Sequence, residues 1–221
     1  MIKGIDVSHY QTVDYSLLEK SSLGFCFIKA TQGANGVDPK LDEHGTNVPK
    51  THLLVGFYHY FVAAANPITQ AQHFWDTINP YMDEYSLPPV LDLEDPNCML
   101  SPLNLAESVS SFLTQLEHLS GHAPIIYTNK FFLKKNQPGI NMSRYLLWDA
   151  CYQNNPAVPY NGWDRATFWQ YTDKTKESGM VLDGDLFMGT PEQLLALTVM
   201  GETKEGLNAS EWVEKYDIKV L

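Results

Sequence analysis

Eight short apolar runs recur along the chain, at Gly4–His9, Phe25–Thr31, Leu54–Phe61, Val90–Glu94, Pro124–Thr128, Tyr145–Cys151, Thr167–Tyr171 and Val181–Phe187. Several are nearly continuous rather than alternating, the pattern of strands covered on both faces. A chain that must cover so many strands twice has few architectures open to it. Helical patterns separate the earlier runs. The clearest is Ser101–Gly121: Ser101 can cap it, Pro102 takes the first helical position, and Gly121 closes it. Val109, Phe112, Leu113, Leu116 and Leu119 form its apolar stripe. Asn66–Tyr81 is a second helix, with Ala71, Phe74, Trp75 and Ile78 inward; Tyr15–Ser22 and Pro39–Leu53 are weaker. About eight strands with fewer helices predict an α/β fold, an irregular (β/α) TIM-like barrel. The rival, a doubly wound sheet, would show a glycine-rich turn after its first strand, where this chain has "DVSHYQ".

The 221 residues suit one such domain. Residues 1–190 read as the barrel. The more polar tail, 191–221, should hold helices near Glu192–Met200 and Ser210–Tyr216. It is too short to fold alone, so it is an appendage packed on the barrel or a segment that could dock a protein partner. A net charge of −11 argues against nucleic acid, whose phosphates call for a basic face. No apolar run approaches the roughly 20 residues of a membrane span. The first strand pattern starts within a few residues of Met1, leaving no visible signal peptide. The expectation is a protein made in the cytoplasm that reaches any outside target by release or delivery. Cys26, Cys98 and Cys151 show no metal-ligand spacing, and Cys26 and Cys151 read as buried thiols in strands.

The stretch "PPVLDLEDP" carries the chemistry. Asp92 and Glu94 lie two apart at a strand end, so they project to the same face. Carboxyl groups beside Val90, Leu91 and Leu93 need a reason to be there, because burial penalises the charged form. Asp95, before Pro96, reads as a turn residue. Asp6 in the first strand and Asp183 and Asp185 in the last add acids, and in a closed barrel those strands are neighbours. Carboxyls with split environments can serve as proton donor and as ionised partner, the requirement of glycoside hydrolysis. Tyr58, Tyr60, Tyr127, Trp148, Tyr152, Trp169 and Tyr171 offer flat faces for sugar rings, about half of them expected in the core. Lys29 would need a salt bridge to the acids, and Gln170 offers neutral hydrogen bonds. His9 and His59 lack metal-site spacing, so neither metal nor cofactor is expected.

Taken together, "GIDVSHYQ", "FCFIKATQG", "GFYHYF", "PPVLDLED", "PIIYTN", "LLWDACY", "FWQYT" and "VLDGDLF" resemble glycoside hydrolase family 25, the Chalaropsis-type lysozymes, over about residues 1–190. The resemblance implies a muramidase that cleaves the β-1,4 bond between N-acetylmuramic acid and N-acetylglucosamine in peptidoglycan glycan strands. It implies Glu94 as general acid, with Asp92, Asp6 and Asp183 as the accompanying catalytic acids. It implies sugar contacts at Lys29, Tyr58, Tyr127, Trp148 and Gln170. Asp183 rather than Asp185 is the aligned acid by its spacing to Phe187. Gln32 stands where the family often has Glu, and Asp149 is an unusual charge in its strand. Both direct attack by a carboxylate and attack by the substrate's own N-acetyl group remain open. A chitinase-like D-x-x-D-x-D-x-E pattern fails at Val90. A catalytically inactive carbohydrate-binding or assembly barrel is the alternative of a different class, and the retained acids argue against it. A phage or prophage endolysin, a tail-associated lysin and a delivered cell-wall toxin all suit the reading.

Overall fold

A computed structural model describes residues 1–136, 141–177 and 179–221. Its strands are β1 (Ile2–Val7), β2 (Phe25–Gln32), β3 (Gly36–Val37), β4 (Leu54–Tyr60), β5 (Val90–Asp92), β6 (Ile125–Thr128), β7 (Leu146–Ala150), β8 (Phe168–Glu177) and β9 (Met180–Phe187). Eight of them close in the order β1-β2-β4-β5-β6-β7-β8-β9 and back to β1, and β3 is a short addition at the end of β2. Seven barrel strands run parallel, while β9 runs against both its neighbours. The reversal has a simple cause. β8 ends at Glu177 and β9 starts at Met180, a link far too short for the crossover that parallel strands need.

The helices are α1 (Tyr15–Leu18), α2 (Leu41–Asn47), α3 (Pro67–Ile78), α4 (Pro102–Ser120), α5 (Lys130–Asn136), α6 (Pro191–Leu195) and α7 (Ala209–Tyr216). α4 begins on the Ser101 cap and ends on Gly121 in the left-handed conformation, φ 73°, as its sequence requires. α3 begins on the Asn66 cap and buries Ala71, Phe74 and Ile78, whereas Trp75 is only half-buried. None of the described residues between β7 and β9 is helical.

Strand alternation sorts the apolar residues into two layers. Val7, Ile28, Phe57, Leu91, Ile126 and Leu147 face outward beneath the helices. Phe25, Phe27, Val90, Ile125, Trp148 and Phe168 fill the barrel interior. Both faces are therefore dry, which explains the unbroken runs. The interior rings leave no space opposite them: a Cβ at Gly4 would meet the Phe25 ring at 2.4 Å, and one at Gly56 would meet Phe27 at 2.5 Å.

The tail closes the end of the barrel where the parallel strands begin. Leu194, Leu195, Ala209, Trp212 and Ile218 join the same interior cluster as Ile2, Phe25 and Leu54. Trp212 is fully buried, and its indole N–H donates to the His52 carbonyl at 3.2 Å. Val220 bridges Ile2. Capping boxes start both helices, Thr190 with Gln193 and Asn208 with Glu211. α6 is shorter than the sequence predicts. The Thr198 hydroxyl bonds back to the Leu195 carbonyl and occupies an acceptor that a continuing helix would use. Leu194, Leu195, Trp212 and Ile218 of the tail are spent on the barrel, while Val199, Met200, Val220 and Leu221 stay exposed, and nothing supports a protein partner docked through them.

Trp212→Ala should lower the unfolding free energy by about 3–5 kcal/mol, the usual cost of emptying a large buried aromatic site. Urea denaturation checks this. A loss below about 1 kcal/mol, the range of surface substitutions, would mean that the tail adds little to the barrel's stability.

Candidate active site

β1 and β9 bring Asp6 directly opposite Asp183, and Gly4 opposite Asp185. β5 ends at Asp92, and Glu94 follows two residues later, while Leu91 and Leu93 go to the outer layer. Lys29, Tyr58, Tyr127, Trp148 and Gln170 come from β2, β4, β6, β7 and β8. All nine site residues that the family resemblance implies line one groove of about 400 Å³ at the C-terminal ends of the parallel strands, whereas Asp185, Trp169 and Tyr171 do not line it. Asp183 lies near the start of its strand and reaches that end because β9 is reversed. Trp148 belongs mostly to the floor. It is 1% exposed, stacks on Phe27 at 4.5 Å, and donates its indole N–H to Asp185 at 2.8 Å.

A chain of hydrogen bonds ties the acids to the aromatics. The Tyr127 and Tyr152 hydroxyls both donate to Gln170 Oε1, at 2.9 and 2.8 Å. Gln170 Nε2 then donates to Asp6 Oδ2 at 2.7 Å. Asp6 in turn faces Asp185, and their carboxyls form a hydrogen bond when one of them holds a proton. No donor from any other described residue reaches Asp185 Oδ2, nor any to Asp92 Oδ1, although both atoms are buried.

Burial pushes every acid of the groove upward. Asp6 rises to about 8, first through burial and then through the charge of Asp183. Asp183 rises to about 6, through burial and then Asp173. Burial also raises Asp92, with Glu94 adding and Lys29 opposing. Glu94 is raised by burial, while Asn129, whose amide is 3.4 Å from Oε2, and the Lys29 charge pull it down. Asp185 is driven well above the carboxylate range by burial and by Asp6. Proton-holding and ionised carboxyls therefore stand together near neutrality.

Several expectations change on contact with the geometry. Lys29 makes no salt bridge to an acid among the described residues. Its ammonium donates to Gln32 Oε1 at 3.2 Å and sits 5.0 Å from the Tyr60 ring centre, acting on the acids through space. Asp149 points away from the groove and is fully buried, accepting from the Tyr160 hydroxyl at 2.6 Å and from the Ala157 N–H, so it anchors the loop after β7. Cys151 falls just past β7 and is half-buried rather than buried. Asp95 accepts from the Ala63 and Asn97 N–H groups, a turn role. His9 pairs with Asp38 at 2.7 Å, and buried His59 with the Thr31 hydroxyl at 2.7 Å. No group of three or more potential metal ligands exists among the described residues.

The sequence reading set Asp185 aside in favour of Asp183 and passed over Asn129 and Gln11. Gln11 reaches Asp183 at 3.5 Å. Asp185 had a legible signal, since its period-two spacing from Asp183 turns both acids inward. Asn129 had only its place directly after a strand end.

The model of the family described as glycosyl hydrolases family 25 matches residues 5–180. The chain belongs to that family. The family 25 match takes in Asp6, Asp92 and Glu94 and stops before Asp183, which the strand pairing then supplies. An uncharacterized Escherichia coli K12 protein, YegX, is 34% identical over 88% of this chain and 72% of its own. Lysozyme M1 of Streptomyces globisporus is 29% identical over 89% of this chain and 71% of its own. The solved structure of a muramidase from Acremonium alcalophilum superposes with a TM-score of 0.82 at 28% identity, covering 90% of this chain and 100% of that one.

Asp6→Asn tests the crowding of the acids. The folded-state pKa of about 8 lies above the usual value of roughly 4, so the unfolded chain gives up this proton first as pH rises. Asp6 thus weakens the fold progressively across that window. The variant should melt higher than wild type at pH 8, with the gap closing near pH 4. Calorimetric melting at the two pH values checks it, and a gap that widened toward pH 4 would contradict the assignment.

Proposed function

We propose that Glu94 is the general acid of this enzyme and that Asp92, Asp6 and Asp183 form the negative wall facing the sugar it attacks. The protein is a glycoside hydrolase of the lysozyme type, a muramidase acting on peptidoglycan in the cell wall. The bond it cleaves is the β-1,4 link between N-acetylmuramic acid and N-acetylglucosamine. The observation that carries the residue assignment is the single groove that gathers all four acids at the mouth of the closed barrel.

Glu94 lines the groove with its carboxyl pushed upward by burial, the direction that suits a group giving a proton to the leaving oxygen. Once that oxygen has left, the same carboxylate takes a proton from the incoming water. Asp92 lies deeper, and its buried Oδ1 has no hydrogen-bond donor among the described residues. As a lining residue beside Glu94, Asp92 is placed to accept the acetamido N–H of a bound sugar and to steer the substrate's own N-acetyl carbonyl toward the anomeric carbon. Positive charge developing on the sugar ring is met by the surrounding carboxylates. Tyr58, Tyr127 and Gln170 position the sugar, Lys29 sets the balance of charge at Glu94 and Asp92, and Trp148 supports them from below.

Residues 1–190 serve as the catalytic barrel and 191–221 as its structural base, since no residue of the tail lines the groove. The enzyme meets its substrate after release or delivery from the cell that makes it.

Digestion of purified peptidoglycan, with mass spectrometry of the new reducing ends, tests the assignment. Wild type should release fragments ending in reducing N-acetylmuramic acid, and Glu94→Gln should lower kcat by about 10²–10⁴-fold, the contribution of a positioned general acid. Near-full activity in that variant would remove Glu94 from the role. Lys29→Gln provides a second check. The lysine favours the ionised form of Glu94, so its loss raises the Glu94 pKa and lets the acid keep its proton to higher pH. The alkaline limb of kcat/KM against pH should move upward. A limb that moved downward would place the titrating group elsewhere.

A further inference from the structure

The groove continues past Glu94. A second hollow of about 790 Å³ shares Glu94, Tyr127 and Tyr152 with the first and runs along α5 and the loop after β7. Its chemistry differs. Asp6, Asp92 and Asp183 all lie on the first side. On the second, Glu94 is the one acidic side chain among the described lining residues, and Lys130 and Lys134 line it one helical turn apart. Phe131 lines the same hollow and is 78% exposed. A cationic, aromatic wall is out of character for a chain of net charge −11. Lys130 is already engaged, donating to the Ala157 carbonyl at 2.9 Å. Lys134 is exposed and has no ion-pair partner among the described residues.

The chemistry of the reaction decides which half of the substrate goes where. The sugar that gains positive character must lie against the carboxylates, on the first side. Glu94 protonates the oxygen between the two halves, so the departing half lies beyond it, along α5. In the cleaved bond that half begins with N-acetylglucosamine. The next sugar along is an N-acetylmuramic acid carrying a stem peptide with free carboxylates. We propose that the second hollow binds the departing half of the glycan strand through its stem-peptide carboxylates, with Lys134 as the recognising charge and Phe131 as the apolar face beside it. This rests on the muramidase reading and adds to it: the enzyme reads the peptide as well as the sugar. Complementary charge is the reason Lys134 matters here, because the chain's net charge of −11 otherwise opposes the approach of carboxylates.

The test compares kcat/KM on two substrates of matched glycan length, one with intact stem peptides and one stripped of them by an amidase. Lys134→Glu should lower the ratio of peptide-bearing to peptide-free activity by about two- to fivefold, the scale of an exposed charge contact. Lys135→Glu, on the same helix but outside the hollow, should leave that ratio as in wild type. A Lys134→Glu ratio equal to wild type, or one matched by Lys135→Glu, would overturn the proposal while leaving the muramidase reading intact. Wild-type protein that cleaved neither substrate would overturn both.

Discussion

Asp6 and Asp185 cannot both be ionised where they stand. Each is buried, each faces the other, and the Asp185 oxygen between them has no other donor among the described residues. Two like charges facing each other in a poorly solvated interior repel, which pushes both carboxyls upward and favours a proton held between them. That proton links the floor of the barrel to its mouth. Asp185 is fixed from below by the Trp148 indole, and Asp6 is fixed from the side by Gln170, which two tyrosine hydroxyls orient. The groove's geometry is the outward end of that network, and its charge balance depends on where the shared proton lies.

Carrying these acids has a stability cost, and the fold offsets it at the other end. The interior below the acids is packed with aromatic rings, Phe25, Phe27 and Phe168 among them, and Trp212 and its neighbours close the base. Stability and chemistry thus occupy opposite ends of one barrel, a division seen widely in this architecture. The floor can be well packed because it takes no part in the reaction, and the mouth can be polar and crowded with acids because the floor holds it together.

Much of this was legible in the sequence, for identifiable reasons. Strands buried on both faces leave continuous apolar runs, so their positions could be read closely, and Asp92 and Glu94 had to share a face because side chains alternate. α4 announced itself with Ser101, Pro102 and Gly121. Other features leave no trace in composition or period. β8 extends to Glu177 although the run ends near Tyr171, because Thr172–Glu177 pair only with β9 and are mostly polar. Strand direction is not written in side chains, so the reversal of β9 shows only in the short link before it. Lys29 had several acceptors to choose from, and a sequence cannot rank Gln32 against Asp92 or Glu94 when all three come from the loops and strand ends of one groove.

The reversed strand separates the acids from the hairpin beyond them. Asp183 is held in register by its pairing with Asp6 on β1, while the far ends of β8 and β9 pair with each other alone, beyond the closed part of the barrel. Residues added to or removed from that hairpin would change its length without moving the acids, which are fixed by the pairing with β1. In a parallel strand the same change would pass through a helical crossover and disturb the register. The reacting groups are thereby insulated from changes of length in the hairpin.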